Sequence, residues 1–116
     1  MNKKLRRLSS ALAACGWCLL PLLAHADEAA TAKATALGTM EGVVQYCGSV
    51  DSSAVAQLHD KIEGLTKGLS EQRVAELRRS SEYQAAYSAI ETFVGKVDQH
   101  NAKRVCIASV SATNNN

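Results

Sequence analysis

The sequence predicts an all-α fold, a small helical bundle of three long helices plus one short crossing helix, stapled by one disulfide. Three observations predict it. Residues 27–116 contain no Pro and are rich in Ala, Leu, Glu, Lys, Gln and Arg, the residues with the highest helix propensity. Their apolar positions recur at intervals of three and four, the spacing of one helix face. Two cysteines, Cys47 and Cys106, remain once an N-terminal leader is set aside.

Residues 1–26 read as a cleavable signal peptide. Lys3, Lys4, Arg6 and Arg7 form a positive start, an apolar stretch from Leu8 to Leu23 follows, and Ala24-His25-Ala26 places small residues three and one before a cut ahead of Asp27. An uncleaved anchor fits less well: Ser9, Ser10, Gly16 and Pro21 interrupt a run that falls short of the ~20 residues of a spanning helix. No stable membrane insertion is therefore expected after cleavage. Leu12-Ala13-Ala14-Cys15 has the look of a lipobox, but lipidation at Cys15 would leave only about seven apolar residues before the cut and would strand Leu19 to Leu23 on the mature chain. Cys15 and Cys18 have C-x-x-C spacing, yet both fall inside the leader.

The composition of residues 27–116 sets limits. Their 9 Val, 3 Ile, 5 Leu and one Phe make up 18 of 90 residues, at the edge where a chain buries enough apolar surface to offset its conformational entropy. A multi-domain enzyme and a nucleotide-binding α/β fold are excluded. Nine basic residues face eleven acidic ones, so the charge is near −2 and a basic nucleic-acid-binding surface is not supported. In an oxidising compartment Cys47 and Cys106 are expected to form a disulfide. Its loop of about sixty residues is worth roughly 4 kcal/mol, comparable with the whole stability of so small a domain. Two free thiols forming a site would need activating charge; Lys103 and Arg104 stand near Cys106, but nothing comparable flanks Cys47.

Along the chain, residues 27–35 are a small-residue segment expected to form a flexible lead-in, 36–108 the bundle and 109–116 a disordered tail. Leu37, Met40, Val44 and Cys47 mark the face of a first helix, ended by Gly48, with Asp51 or Ser52 to cap the next. Val55, Leu58, Ile62, Leu65 and Leu69 mark the second, closed by Gly68 and Ser70. A short third helix from Glu71 to about Arg79 takes Ser70 as its cap and carries Val74 and Leu77. Ser81 with Gln84 has the spacing of a capping box for a fourth helix, whose stripe of Tyr83, Tyr87, Ile90, Val94 and Val97 is expected to run on toward Val105. A regular up-down-up-down bundle would put the C-termini of the first and fourth helices at opposite ends, out of disulfide reach. A short third helix that crosses one end removes the conflict, and Cys106 is then expected at the edge of the packed seam.

Candidate sites are few. His59 and Glu63 form an i,i+4 pair that could hold a metal with His100 as a third ligand, against a solvated helix face that includes Glu63 and Lys67. Arg73, Arg78, Arg79, Lys103 and Arg104 give a basic tendency suited to an anionic headgroup or acidic partner, but Glu71, Glu76 and Glu82 are interleaved with them. Tyr83 and Tyr87 are expected in the core rather than as an exposed aromatic anchor. Gly38/Gly42 and Gly64/Gly68 are small residues one turn apart, which would permit close packing of the first two helices or a groove for another protein. No H-E-x-x-H, glycine-rich phosphate loop or G-x-S-x-G is present, so no catalytic residue is assigned and no cofactor is expected.

The size, leader, helical pattern and single disulfide are broadly similar to two kinds of small bacterial envelope protein, acid-stress chaperones and secretion pilotins. The resemblance is architectural and transfers no residues; pilotins, moreover, are generally lipidated. The function expected is that of an exported, non-enzymatic helical binding or adaptor protein of the bacterial envelope, periplasmic or secreted, with another envelope or secreted protein as partner. The alternatives are a periplasmic acid-stress-type chaperone, motivated by eleven carboxylates and a thin core, and a weak metal-binding protein using His59 and Glu63.

Overall fold

A computed structural model describes residues 20–112, with side chains from Asp27 onward. Five helices follow one another: α1 (Leu20–Cys47), α2 (Ser52–Thr66), α3 (Glu71–Arg79), α4 (Ser81–Val94) and α5 (Gln99–Ala112). The all-α bundle and its disulfide are as the sequence predicts, and the layout of helices is not. The positive start of the leader, Cys15, Cys18 and the last four residues of the expected tail lie outside the described residues.

The long helix α1 is the spine, packing against each of the other four, while α2 also meets α5 and α3 meets α4. The expected flexible lead-in at 27–35 belongs to α1. Its run of alanines favours helix, and Ala34, 1% exposed, docks beside Leu37, Leu77 and Tyr83. At the other end, α5 continues to Ala112, so 109–112 is helix and not tail. Val110 is buried there, and the Lys61 ammonium of α2 donates to its carbonyl at 2.8 Å.

The expected single fourth helix is two. Gly95 ends α4, and its N–H donates back to the Glu91 carbonyl at 3.0 Å. Asp98 starts α5 by accepting from the Asn101 N–H at 3.1 Å, the pattern of an N-cap. The break resets the helical phase. Ala102, Cys106 and Val110, four apart, form the buried stripe of α5, so Cys106 sits fully buried on that stripe and not at a seam edge. The reversal at 95–98 also resolves the disulfide geometry: Cys47 at the end of α1 bridges to the middle of α5 with a Cα–Cα distance of 5.8 Å.

The other boundaries follow local chemistry. Asp51 caps α2 by accepting from Ala54 N–H, and Ser70 caps α3 by accepting from Arg73 N–H. Between them Gly68 adopts φ +80°, the left-handed turn that ends many helices and that glycine enters without strain. At α4 the cap is Ser80 and not Ser81: its hydroxyl oxygen accepts from Tyr83 N–H, while Gln84 turns back to donate to the Arg78 carbonyl. One residue, Ser80, therefore joins α3 to α4 in a tight corner.

Two apolar clusters result. One gathers Val43, Cys47, Ala54, Leu58, Cys106 and Val110 from α1, α2 and α5 around the disulfide. The second gathers Ala34, Leu37, Leu77 and Tyr83 from α1, α3 and α4, with Ile62, Leu65, Leu69, Val74 and Tyr87 packed against it. Tyr83 and Tyr87 stack with ring centroids 6.0 Å apart, in the core as the sequence predicts.

The first glycine pair permits close packing, but of α1 on α4 and not on α2. A Cβ on Gly38 would run into the carbonyl oxygen of Tyr83, and one on Gly42 would lie 3.0 Å from the Cβ of Ile90. Around Gly64 there is open space, so that glycine serves no packing contact.

Two stability measurements check this arrangement. Gly38→Ala is expected to cost about 1–3 kcal/mol by overpacking the α1–α4 contact, whereas Gly64→Ala is expected to be neutral or to gain up to about 1 kcal/mol from helix propensity. Denaturant melts of the two variants decide it, and equal effects would contradict the contact. Reduction of the disulfide, or Cys47→Ser, is expected to remove about 4 kcal/mol; a melting curve indifferent to reductant would refute the staple.

Candidate functional site

Glu41 lies on α1 one turn beyond Gly38, on the side where α1 faces α3 and α4, and its side chain is 19% exposed. Because Gly38 lets the α4 backbone come close, the phenol of Tyr83 reaches Glu41 and donates to Oε2 at 2.5 Å. Arg78, near the end of α3, lays its guanidinium along the same carboxylate. Its Nη2 donates to Oε1 at 2.6 Å, and its Nε donates to Oε1 and Oε2 at 3.1 and 3.2 Å. One carboxylate thus joins three helices through a forked, charge-assisted contact and a phenol.

The electrostatics follow. Burial pushes the Glu41 carboxyl up, but hydrogen bonds from Arg78 and Tyr83 together with the charges of Arg78 and His59 outweigh it and hold the carboxyl below its ordinary value. The Glu41 hydrogen bond raises Arg78 against a smaller effect of burial. Tyr83 is pushed up to about 12, first by burial and then by the hydrogen bond to Glu41 and its negative charge. The carboxylate is therefore ionised and the phenol neutral across the physiological range.

The candidate metal residues are not brought together. His59 and Glu63 are exposed on α2 and His100 is exposed at the start of α5. Among the described residues no three His, Cys, Asp or Glu side chains are grouped as a metal site would require. The basic residues do not form one surface either. Arg78 is bound to Glu41, Arg73 pairs with Glu76 at 2.8 Å on the surface of α3, and Arg104 donates to Asn101 within α5. Beside the network, an open groove of about 380 Å³ lies between α1 and the α3–α4 corner, lined by Asp27, Thr31, Arg73, Glu76, Leu77 and Glu82 among others. Both signs of charge line it, and it selects no one ligand charge.

Glu41 was not among the residues the sequence singled out. Its signal was an acid four residues after Leu37, on the apolar side of the first helix. Arg78 was counted only as part of a basic tendency and Tyr83 only as core.

Glu41, whose folded value lies below its ordinary 4.5, contributes stability that is fully present above that pH and is lost as pH falls through the lower folded value. Tyr83, raised from 10.0 to about 12, contributes stability present below pH 10 and lost as pH rises toward 12. An ultraviolet absorbance titration is expected to find one of the three tyrosines ionising near 12, and Glu41→Gln is expected to bring that tyrosine down toward its ordinary 10.0. An unchanged titration in the variant would contradict the coupling.

Compared with known proteins, the chain matches no family model, no curated protein and no solved structure.

Proposed function

We propose that the protein is an exported, non-enzymatic helical binding module of the bacterial cell envelope, periplasmic or secreted, which acts on another envelope or secreted protein. The observation that carries this reading is the disulfide between Cys47 and Cys106, both 0% exposed, at the centre of the α1, α2 and α5 packing. A bridge that forms part of the core suits a chain that folds in an oxidising compartment, and it agrees with the leader pattern of residues 1–26. No described helix is long and apolar enough to cross a membrane.

Binding, in preference to catalysis, is supported by how the polar groups are used. The carboxylate, guanidinium and phenol of the network are turned on one another, which makes them a clamp between helices and leaves them poorly placed to work on a substrate. Phe93 on α4 and Ile107 on α5 are 55% and 53% exposed, large apolar side chains of the kind that anchor protein contacts.

Capture from periplasmic extract with the oxidised protein tests the reading. One envelope protein is expected to be retained stoichiometrically, and Phe93→Ser with Ile107→Ser is expected to weaken retention at least about tenfold without lowering the melting temperature. Stoichiometric recovery of a metal or small molecule in place of any protein would refute it. Mass spectrometry of the exported protein is expected to find residues 1–26 gone and two hydrogens missing through oxidation. A retained leader or two alkylatable thiols would refute the localisation.

A further inference from the structure

The two apolar clusters are secured differently. The cluster of α1, α2 and α5 holds the disulfide. The α3–α4 pair, residues 71–94, carries no cross-link of its own and closes on α1 through Leu77 and Tyr83, through the close approach of α4 at Gly38 and Gly42, and through the contacts of Arg78 and Tyr83 with Glu41. We infer that Glu41 is an acid-released latch: its protonation loosens the α3–α4 pair from α1 and uncovers the apolar surface of Ala34 and Leu37 on which that pair packs, while the disulfide keeps α1, α2 and α5 together.

The groups around Glu41 all act in that direction. At neutral pH the carboxylate attracts Arg78 from α3, accepts the Tyr83 phenol from α4 and lies in the field of His59 from α2. Once Glu41 is neutral, Arg78 loses its counter-charge. Arg78 is then left without that partner on a nine-residue helix that also carries Arg73 and Arg79. The charge attraction that held the end of α3 to α1 is then lost.

The α3–α4 pair is anchored at its far end. Ile90, near the end of α4, packs against the disulfide cluster, and the residues after Gly95 link α4 to α5. The start of α4 and all of α3 lie on the far side of that anchor. Release at Glu41 therefore moves residues 71–89 about the Ile90 end.

The device goes beyond the binding reading and does not depend on it. Its test is hydrogen exchange measured by mass spectrometry on the oxidised protein between pH 7 and pH 2.5, corrected for intrinsic exchange, with dye binding to exposed apolar surface as a second readout. The wild type is expected to lose protection in residues 71–89 by about tenfold or more as pH falls below 4.5, while 43–66 and 99–110 keep theirs. Glu41→Gln is expected to be open in 71–89 already at pH 7, with the acid step gone. Tyr83→Phe removes one bond that holds the carboxyl low, so its acid step is expected at higher pH than in the wild type. The latch is overturned if Glu41→Gln keeps the wild-type acid step, if all segments lose protection together, or if no segment opens. Should Glu41→Gln fail to fold, an unchanged midpoint in Tyr83→Phe overturns it.

Discussion

Where α1 meets α4, Gly38 lies so close to the main chain of Tyr83 that no Cβ fits between them, and Glu41, one turn further on, receives the phenol of that same tyrosine. The two facts are connected by helix geometry. Only a residue without a side chain lets the backbones approach to this degree, and only that approach brings a hydroxyl on α4 within reach of a carboxylate on α1. Arg78 arrives because Ser80 turns α3 directly into α4, which fixes the α3 end relative to Tyr83. A steric constraint at one glycine thus organises the charged contact beside it.

A chain with so few large apolar residues distributes its stability unevenly. Around Cys47 and Cys106 the packing is covalently held, with Val44, Val55 and Ile90 among the partly buried residues that flank it. Around Leu77 and Tyr83 several of the supporting residues, among them Ile62, Leu65 and Val74, are only partly buried. There a partly desolvated carboxylate and guanidinium contribute where no cross-link is present, and that contribution is conditional on ionisation in a way that hydrocarbon packing is not. The molecule is therefore built from one half whose cohesion is indifferent to acid and another whose cohesion responds to it.

The sequence was most legible where the signal is local. Asp51 and Ser70 are caps because their side chains satisfy amides three residues away, and the α3 bounds follow from Ser70 and from the serines after Arg79. The pairing of Cys47 with Cys106 was legible by count alone. The break at Gly95 to Asp98 carried its own stop and cap signals, but the apolar stripe seemed to pass through it, because Val97 continues the spacing of Val94. At residues 27–35 the sequence leaves lead-in and helix open, because alanine carries little periodic signal, whereas in the fold Ala34 packs with Leu77 and Tyr83 because it is small. The meeting of Glu41, Arg78 and Tyr83 depends on which helix the glycines face, and spacing within one helix holds no information about that.

The bridge between Cys47 and Cys106 spans 59 residues of sequence, so α2, α3 and α4 lie wholly inside a covalent ring. A segment that loosens inside such a ring cannot diffuse far from the surface it left. The return is a short intramolecular search, because most of the chain entropy that re-closure would otherwise cost has been removed in advance. A single peptide-bond cut between the cysteines would also leave the two pieces joined. Partial opening of this protein is in that sense a tethered excursion, with its way back built into the covalent structure.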